Sequence, residues 1–378
     1  MSALPPINPA ESRLRMGRRF LAAVGLAVVA VCFSLAAAAQ SIDEAPELSL
    51  GELAILTPPT VDGPVPVEAS FQLLSISQIR DEVEEVAFSG VLTLVWHDPR
   101  QAFDPAREGA SERMFSGSFQ FNEMSPGWYP QITLVNAAGQ YDSRAVLLRV
   151  EPDGTSTLSE KIEAVAKIDL DERRLPFDRQ NLVLVFRVFG FDASEVAFRA
   201  DPDDASIDDF MTRLPQWTVE GVSASTRTPD LASAGLRDDA SAFFVTIHVK
   251  RKPMFMLRLV VLPMILIVLL SWSVFWMDRS SVSDRMSVSF VGLLAAVAYQ
   301  ITLVGIVPNV SYFTLMNEFL NLSFLLMCAT VVVNLYVAYA ERQGTGLGDR
   351  IDRRCRWMFP LVYFGLNAIA VVVMFYFV

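Results

Sequence analysis

The chain has 378 residues, of which 52% are hydrophobic and 19% charged, with 31 Lys and Arg against 42 Asp and Glu for a formal net charge of −11. A mean hydropathy of +0.36 is too apolar for soluble domains alone, so part of the chain lies in a membrane, and an acidic balance without concentrated Lys and Arg argues against nucleic acid as a partner. Abundant aromatic residues exclude a disordered chain, while three cysteines and two histidines leave no ligand set for structural zinc, no metal or cofactor site and no disulfide framework.

The N-terminus carries Arg13, Arg15, Arg18 and Arg19, then an apolar stretch from Phe20 to Leu35, then Ala36 to Ala39. That order of basic, apolar and small residues predicts a secretory signal over 1–39, cleaved before Gln40. Cys32 leaves with the signal, so the exported domain contains no cysteine.

From Ser41 to Lys252 the chain reads as short β-rich runs, among them Val86 to Trp96, Gln131 to Val135, Leu182 to Phe189, Trp217 to Val222 and Phe243 to Val249. In the last, Val245, Ile247 and Val249 alternate with Thr246, His248 and Lys250, the period of a half-buried strand. Turn signals at Asp98-Pro99, Glu151-Pro152-Asp153-Gly154 and Asp201-Pro202-Asp203-Asp204 separate such runs. The expectation is an all-β sandwich over 40–252, outside the cytoplasm.

Beyond Arg251 the composition changes, and 253–378 is predicted to be a four-helix transmembrane bundle. Apolar segments run from about Leu259 to Met277, Met286 to Val307, Phe319 to Ala340 and Trp357 to Val378, each near the ~20 residues that cross a bilayer core. Arg342, Arg350, Arg353, Arg354 and Arg356 join the third and fourth, which places that connection in the cytoplasm and both mature termini outside.

Several stretches together resemble the pentameric ligand-gated ion channels, the Cys-loop receptor superfamily. Leu175-Pro176-Phe177-Asp178 is similar to the aromatic-Pro-Phe-Asp signature of the Cys-loop, Trp96-His97-Asp98-Pro99-Arg100 to a Trp-x-Asp-x-Arg strand, and Trp128-Tyr129-Pro130 to Trp-x-Pro. Arg251-Lys252-Pro253, Pro263, the run Ser271 to Trp276, and Pro308 after the second span fit the same family. Ile168 and Leu182 stand where other members carry the disulfide cysteines, which, with the short connector from Glu341 to Arg356 and the export signal, resembles the bacterial branch and implies a bacterial inner membrane.

On the second span, Ser287, Val291, Leu294, Ala298 and Ile301 share one face by their four-and-three spacing. Five copies around an axis would stack a polar ring beneath rings of apolar side chains able to close a pore by dewetting. Asp284 would add five carboxylates at the cytoplasmic mouth, with Arg285 turned behind the helix. The bland alternative is that Ser283 and Asp284 cap the helix. By resemblance an acid at this position marks cation-selective members.

The resemblance also implies an agonist site between subunits, lined by aromatics. Here Phe189 occupies one such position and Val135 and Val91 two others, while Val222 to Ala242 offers no aromatic, which disfavours a quaternary amine. Phe189 fits core packing equally well. For coupling, Asp178 and Arg251 match a buried acid-base contact of relatives, with Asp81 as a further carboxylate. Glu84 matches the glutamate that senses protons in acid-gated members, or belongs to a solvated charge run. The whole implies a homopentameric channel for monovalent cations, gated by a small molecule or by protons and embedded in lipid. The competing reading is a membrane-anchored sensor that does not conduct. An enzyme lacks any catalytic constellation in this sequence.

Overall fold

The computed structural model describes residues 57–59, 63–117, 127–208, 214–227, 240–278, 281–308, 310–343 and 347–376. The stretch read as a signal, 1–39, lies outside the described residues. Strands come first: β1 (Val65–Arg80), β2 (Glu85–His97), β3 (Arg113–Gly117), β4 (Ile132–Leu134), β5 (Ala137–Val150) and β6 (Thr155–Lys167). They continue with β7 (Arg179–Val188), β8 (Val196–Arg199), β9 (Ala205–Ile207), β10 (Trp217–Arg227) and β11 (Ala242–Arg251).

One sheet runs β3-β5-β6-β2-β1-β8 with β9 also on β1, and the other runs β10-β11-β7-β4. Along β2 every second residue from Val86 to Trp96 is buried, because successive side chains of a strand point to opposite faces. The buried faces of both sheets share one core, and Phe71 of the first sheet lies 5.6 Å from Phe186 of the second. Val245, Ile247 and Val249 point into it. The result is a β-sandwich.

The tryptophan motifs build this sandwich. Trp96 and Trp128 meet edge to face at 6.0 Å. Asp98 accepts from the Arg100 backbone at 3.0 Å and from its side chain at 2.8 Å, and Gln101 Nε2 donates to the Trp128 carbonyl at 3.2 Å. Gly154 closes the opposite turn at φ 91°, where a Cβ would lie 2.4 Å from the Asp98 carbonyl oxygen. Only glycine fits that approach.

Four helices follow: α1 (Met254–Trp276), α2 (Val282–Thr302), α3 (Leu315–Arg342) and α4 (Leu347–Tyr376). Each is long and apolar enough to cross a membrane. All four begin before the apolar cores read from sequence, and on α2 and α4 the added turns are polar, helical without raising hydropathy. Arg350, Arg353, Arg354 and Arg356 accordingly sit in the first turns of α4 and not in a loop, which corrects the connector expected from Glu341 to Arg356. Conversely α2 stops at Thr302, before Val307, where Gly305 adopts φ 85° and Pro308 lacks the N–H to continue. Within α1 a π-helical segment, Leu257–Val261, precedes Pro263. Proline leaves the Leu259 carbonyl without its helical donor. The Tyr299 hydroxyl of α2 donates to it instead.

Candidate functional site at the domain junction and on α2

Arg251 ends β11 directly above the membrane part and is 2% exposed. Its Nε donates to Asp178 Oδ1 at 2.8 Å, one terminal nitrogen to Asp81 Oδ2 at 2.6 Å, and the other faces Glu172 Oε1 at 3.8 Å. The Trp217 ring covers the guanidinium at 4.0 Å, a cation–π contact that shields it from water. The three carboxylates come from two connections. Asp81 lies in the β1–β2 turn, and Glu172 and Asp178 lie in the loop between β6 and β7 that contains the cis Leu175–Pro176 bond. Gln180 holds Asp178 in place, donating to its Oδ2 at 2.8 Å. Burial disfavours the Arg251 charge, but hydrogen bonds and charge from Asp178 and Asp81 outweigh it and raise its pKa.

Glu172 was not among the residues singled out from sequence. It is 1% exposed, and neither carboxylate oxygen has a hydrogen-bond partner. Burial first, then the charges of Asp81, Asp178 and Glu84, push its carboxyl up to about 7, against the pull of Arg251. One arginine thus faces three carboxylates in a buried cluster. An acid-rich run, Asp169 to Glu172, is visible in the sequence, but nothing in it marks which acid turns inward.

The same loop touches the membrane part. The Tyr312 hydroxyl, between α2 and α3, accepts from the Glu172 backbone N–H at 3.0 Å and donates to the Leu170 carbonyl at 3.2 Å. The Leu315 N–H donates to the Arg173 carbonyl at 2.9 Å. Pro308 is buried and, with Gly305 and Ile306, borders a groove against Asp81 and Val83. Glu84 is exposed, with φ 52° at the end of the turn, and its carbonyl accepts from Ile168 N at 2.9 Å.

On α2 the residues Asp284, Ser287, Val291, Leu294, Ala298 and Ile301 are all exposed on the single chain, while Ser289 and Ala296 on other faces are buried. Leu294 is 69% exposed and Ile301 67%, though both are large and apolar. The N-cap is Ser281, not Ser283, because the helix starts at Val282, two residues earlier than a Ser283 cap requires. The Ser281 hydroxyl donates to Asp284. Arg285 points away from that exposed stripe. It is buried, donating twice to Asp352 of α4 at 2.8 Å and to Asn334 of α3 at 2.9 Å.

The agonist positions do not come together within one chain. Phe189 follows β7 and Val135 follows β4, both on the four-stranded sheet, whereas Val91 is on β2 in the other sheet. Phe189 is 64% exposed, so it does not pack in the core, and Val135 and Val91 are half-buried. Among the described residues no cluster of His, Cys, Asp or Glu could hold a metal.

A sandwich joined through a charged loop to four membrane helices has counterparts. The neurotransmitter-gated ion-channel ligand binding domain matches residues 54–253, and the neurotransmitter-gated ion-channel transmembrane region matches 260–345. The proton-gated ion channel of Gloeobacter violaceus is 26% identical over 319 residues, covering 84% of this chain and 86% of that protein. The human gamma-aminobutyric acid receptor subunit rho-3 is 26% identical over 77% of this chain and 62% of its own length, and the Xenopus laevis acetylcholine receptor subunit beta 27% over 67% and 51%. The chain spans less than two thirds of these two animal subunits. With a ligand-binding sandwich outside the membrane, four membrane helices, and Ile168 and Leu182 in place of the loop cysteines, the chain belongs to the neurotransmitter-gated ion channels, the Cys-loop superfamily of pentameric ligand-gated channels.

Proposed function

We propose that this chain forms a homopentameric, proton-gated cation channel of a bacterial inner membrane, with α2 lining the pore. On this reading residues 1–39 direct export, 40–252 form the periplasmic domain and 253–378 the pore domain. The observation that carries it is the outward stripe of α2. Val291, Leu294 and Ile301 present apolar surface in line with the polar Ser287 and the acid Asp284, a sequence of chemistries that suits neither lipid nor a packed interior over its whole length. Facing four copies of itself, the same stripe becomes a passage with a charged cytoplasmic mouth and an apolar constriction above it. The Asp284 ring concentrates cations there and repels anions.

Protons are favoured as the agonist by the buried cluster. Glu172 has an ion-pair contact with Arg251 but no hydrogen bond, so its protonation changes the net charge of a site that ties β11, the β1–β2 turn and the α2–α3 loop together. A buried charge that gains or loses its partner is worth roughly 3 to 5 kcal/mol, ample for a two-state gate. The relative from Gloeobacter violaceus is itself described as proton-gated. The aromatic-poor positions Val135 and Val91 weigh against an amine agonist.

Purified protein in liposomes, stepped from pH 8 to pH 5 outside, should pass monovalent cations, whereas a non-conducting sensor passes none at any pH. In a background with Cys328 and Cys355 replaced, cysteines at Ser287, Val291 and Ala298 should react with a water-soluble thiol reagent during activation. A reactive stripe on α4 in their place would remove α2 from the pore.

A further inference from the structure

The residues of α2 that face away from the stripe of Ser287 to Ile301 form a second stripe. Arg285, Ser289, Gly292, Ala296 and Tyr299 recur at intervals of four and three, which places them together on the other side of the helix. That side packs into the bundle. Ser289 and Ala296 are buried, and a Cβ on Gly292 would lie 3.0 Å from the Ser271 side chain of α1. Polar contacts tie the stripe at its cytoplasmic end, where Arg285 donates to Asp352 and Asn334 and the Asn334 amide donates to Ser289 Oγ at 2.7 Å. Gly292 and Ala296 bring no polar side-chain atom. The next polar contact from this stripe to another helix is at Tyr299, near the end of α2 on the side of the sandwich.

The acceptor explains why a tyrosine is needed there. Its hydroxyl donates to the Leu259 carbonyl, with the Val260 carbonyl 3.4 Å away, and both carbonyls belong to the π-helical segment Leu257–Val261 of α1. Pro263, four residues after Leu259, has no N–H to offer that carbonyl, and a bilayer holds no water to replace it. A side chain of one helix thus completes the backbone of another. Tyr299 also stands beside the apolar end of the outward stripe, next to Ala298 and two residues before Ile301.

We infer that Tyr299 is a positioning residue of the pore, whose hydroxyl, by completing the proline-interrupted backbone of α1, holds the outer end of α2 back from the axis and keeps the Ile301 ring apart when the channel conducts. The inference rests on α2 as the pore-lining helix of a pentamer. The direction of the pull follows from the two stripes. With Ser287 to Ile301 toward the axis, α1 lies behind α2, and a bond to α1 opposes the inward tilt that would bring five apolar side chains together and dewet the passage. At the cytoplasmic end α2 is held by a bidentate ion pair, so the outer end, held by one hydroxyl, is the end free to tilt.

Tyr299→Phe keeps the ring and deletes only the hydroxyl. With the full chain in liposomes, half-activation of cation flux should then need roughly tenfold more protons, since the carbonyl it leaves has no other donor. Pro263→Ala puts an N–H four residues after Leu259, so in that background Tyr299→Phe should shift half-activation about twofold at most. A Tyr299→Phe titration like that of the wild type, a shift toward fewer protons, or two effects that simply add would overturn the inference. Hydrogen exchange of the full chain in detergent needs no conduction and reads the tie directly. Peptides covering 257–265 should exchange roughly tenfold faster in Tyr299→Phe, and an unchanged rate overturns the tie. Wild-type protein that passes no cation at any pH would refute the pore reading, and the exchange rates alone would then decide whether Tyr299 holds α2 to α1.

Discussion

A carboxylate buried without donors lowers its cost by holding a proton. Glu172 does so because Arg251 spends its short hydrogen bonds on Asp178 and Asp81 and reaches Glu172 only at 3.8 Å. Its ordinary value is near 4.5 and burial with neighbouring acids raises it to about 7, so between those values the folded chain keeps a proton that an unfolded chain releases. This contribution to stability is complete below about pH 4.5 and is lost as pH rises through 7, on the order of 3 kcal/mol in all. In Glu172→Gln, thermal unfolding should lose that fall between pH 4.5 and 7, and channel activity should cease to respond to protons near pH 7, since glutamine imitates the protonated acid. A variant whose activation still titrates like the wild type would shift the sensor elsewhere, with the exposed Glu84 next in line.

At the scale of one element, α2 carries two adjacent charges with opposite fates. Asp284 is exposed in the first turn, and Arg285, one residue on and so about 100° around the helix, is buried against α3 and α4. Their removal should therefore separate two properties. Asp284→Ala should leave the assembly intact and move the reversal potential in a NaCl gradient from near the cation limit toward zero, because in the proposed pentamer it removes five charges from a narrow mouth. Asp352→Ala should instead strand the buried guanidinium of Arg285 at a cost of roughly 3 to 5 kcal/mol, read as loss of assembled protein on size exclusion and a lower unfolding temperature. If Asp284→Ala destabilises the fold and keeps full cation selectivity, its carboxylate serves the first turn and its Ser281 contact only.

At the scale of the molecule, the sandwich and the helical bundle meet at the β6–β7 loop, where Leu175 packs among the apolar side chains of the helices and directional hydrogen bonds add to that packing. The β6–β7 loop is clamped from above by Arg251 and from below by three hydrogen bonds with Tyr312 and Leu315, the route by which, in the proposed proton gating, a change of charge at Glu172 would reach the α2–α3 connection. Tyr312→Phe keeps the ring beneath Arg173 and deletes only the hydroxyl. With about 1 kcal/mol lost from the clamp, half-activation should need roughly fivefold more protons, measured as currents or liposome flux against pH. Unchanged activation would take Tyr312 out of the coupling path.

The covalent order of residues alone determines whatever depends on spacing along one segment. Alternation in β11, the apolar lengths of the four helices, the four-and-three stripe from Ser287 to Ile301 and the Leu-Pro-Phe-Asp turn belong to this class, because strand and helix geometry converts sequence interval directly into a face. Tertiary structure decides the partners. Arg251 and Asp81 are 170 residues apart and Arg285 and Asp352 are 67 apart, and nothing local distinguishes the buried Glu172 from the more exposed Asp171 beside it. Nor does sequence tell that Phe189 stands out in solvent, or that the arginines from Arg350 to Arg356 ride on a helix. Whether an ionisable side chain is paired, orphaned or solvated is set by which distant backbone segments close over it. Titration and charge at the domain junction are therefore properties of the folded whole.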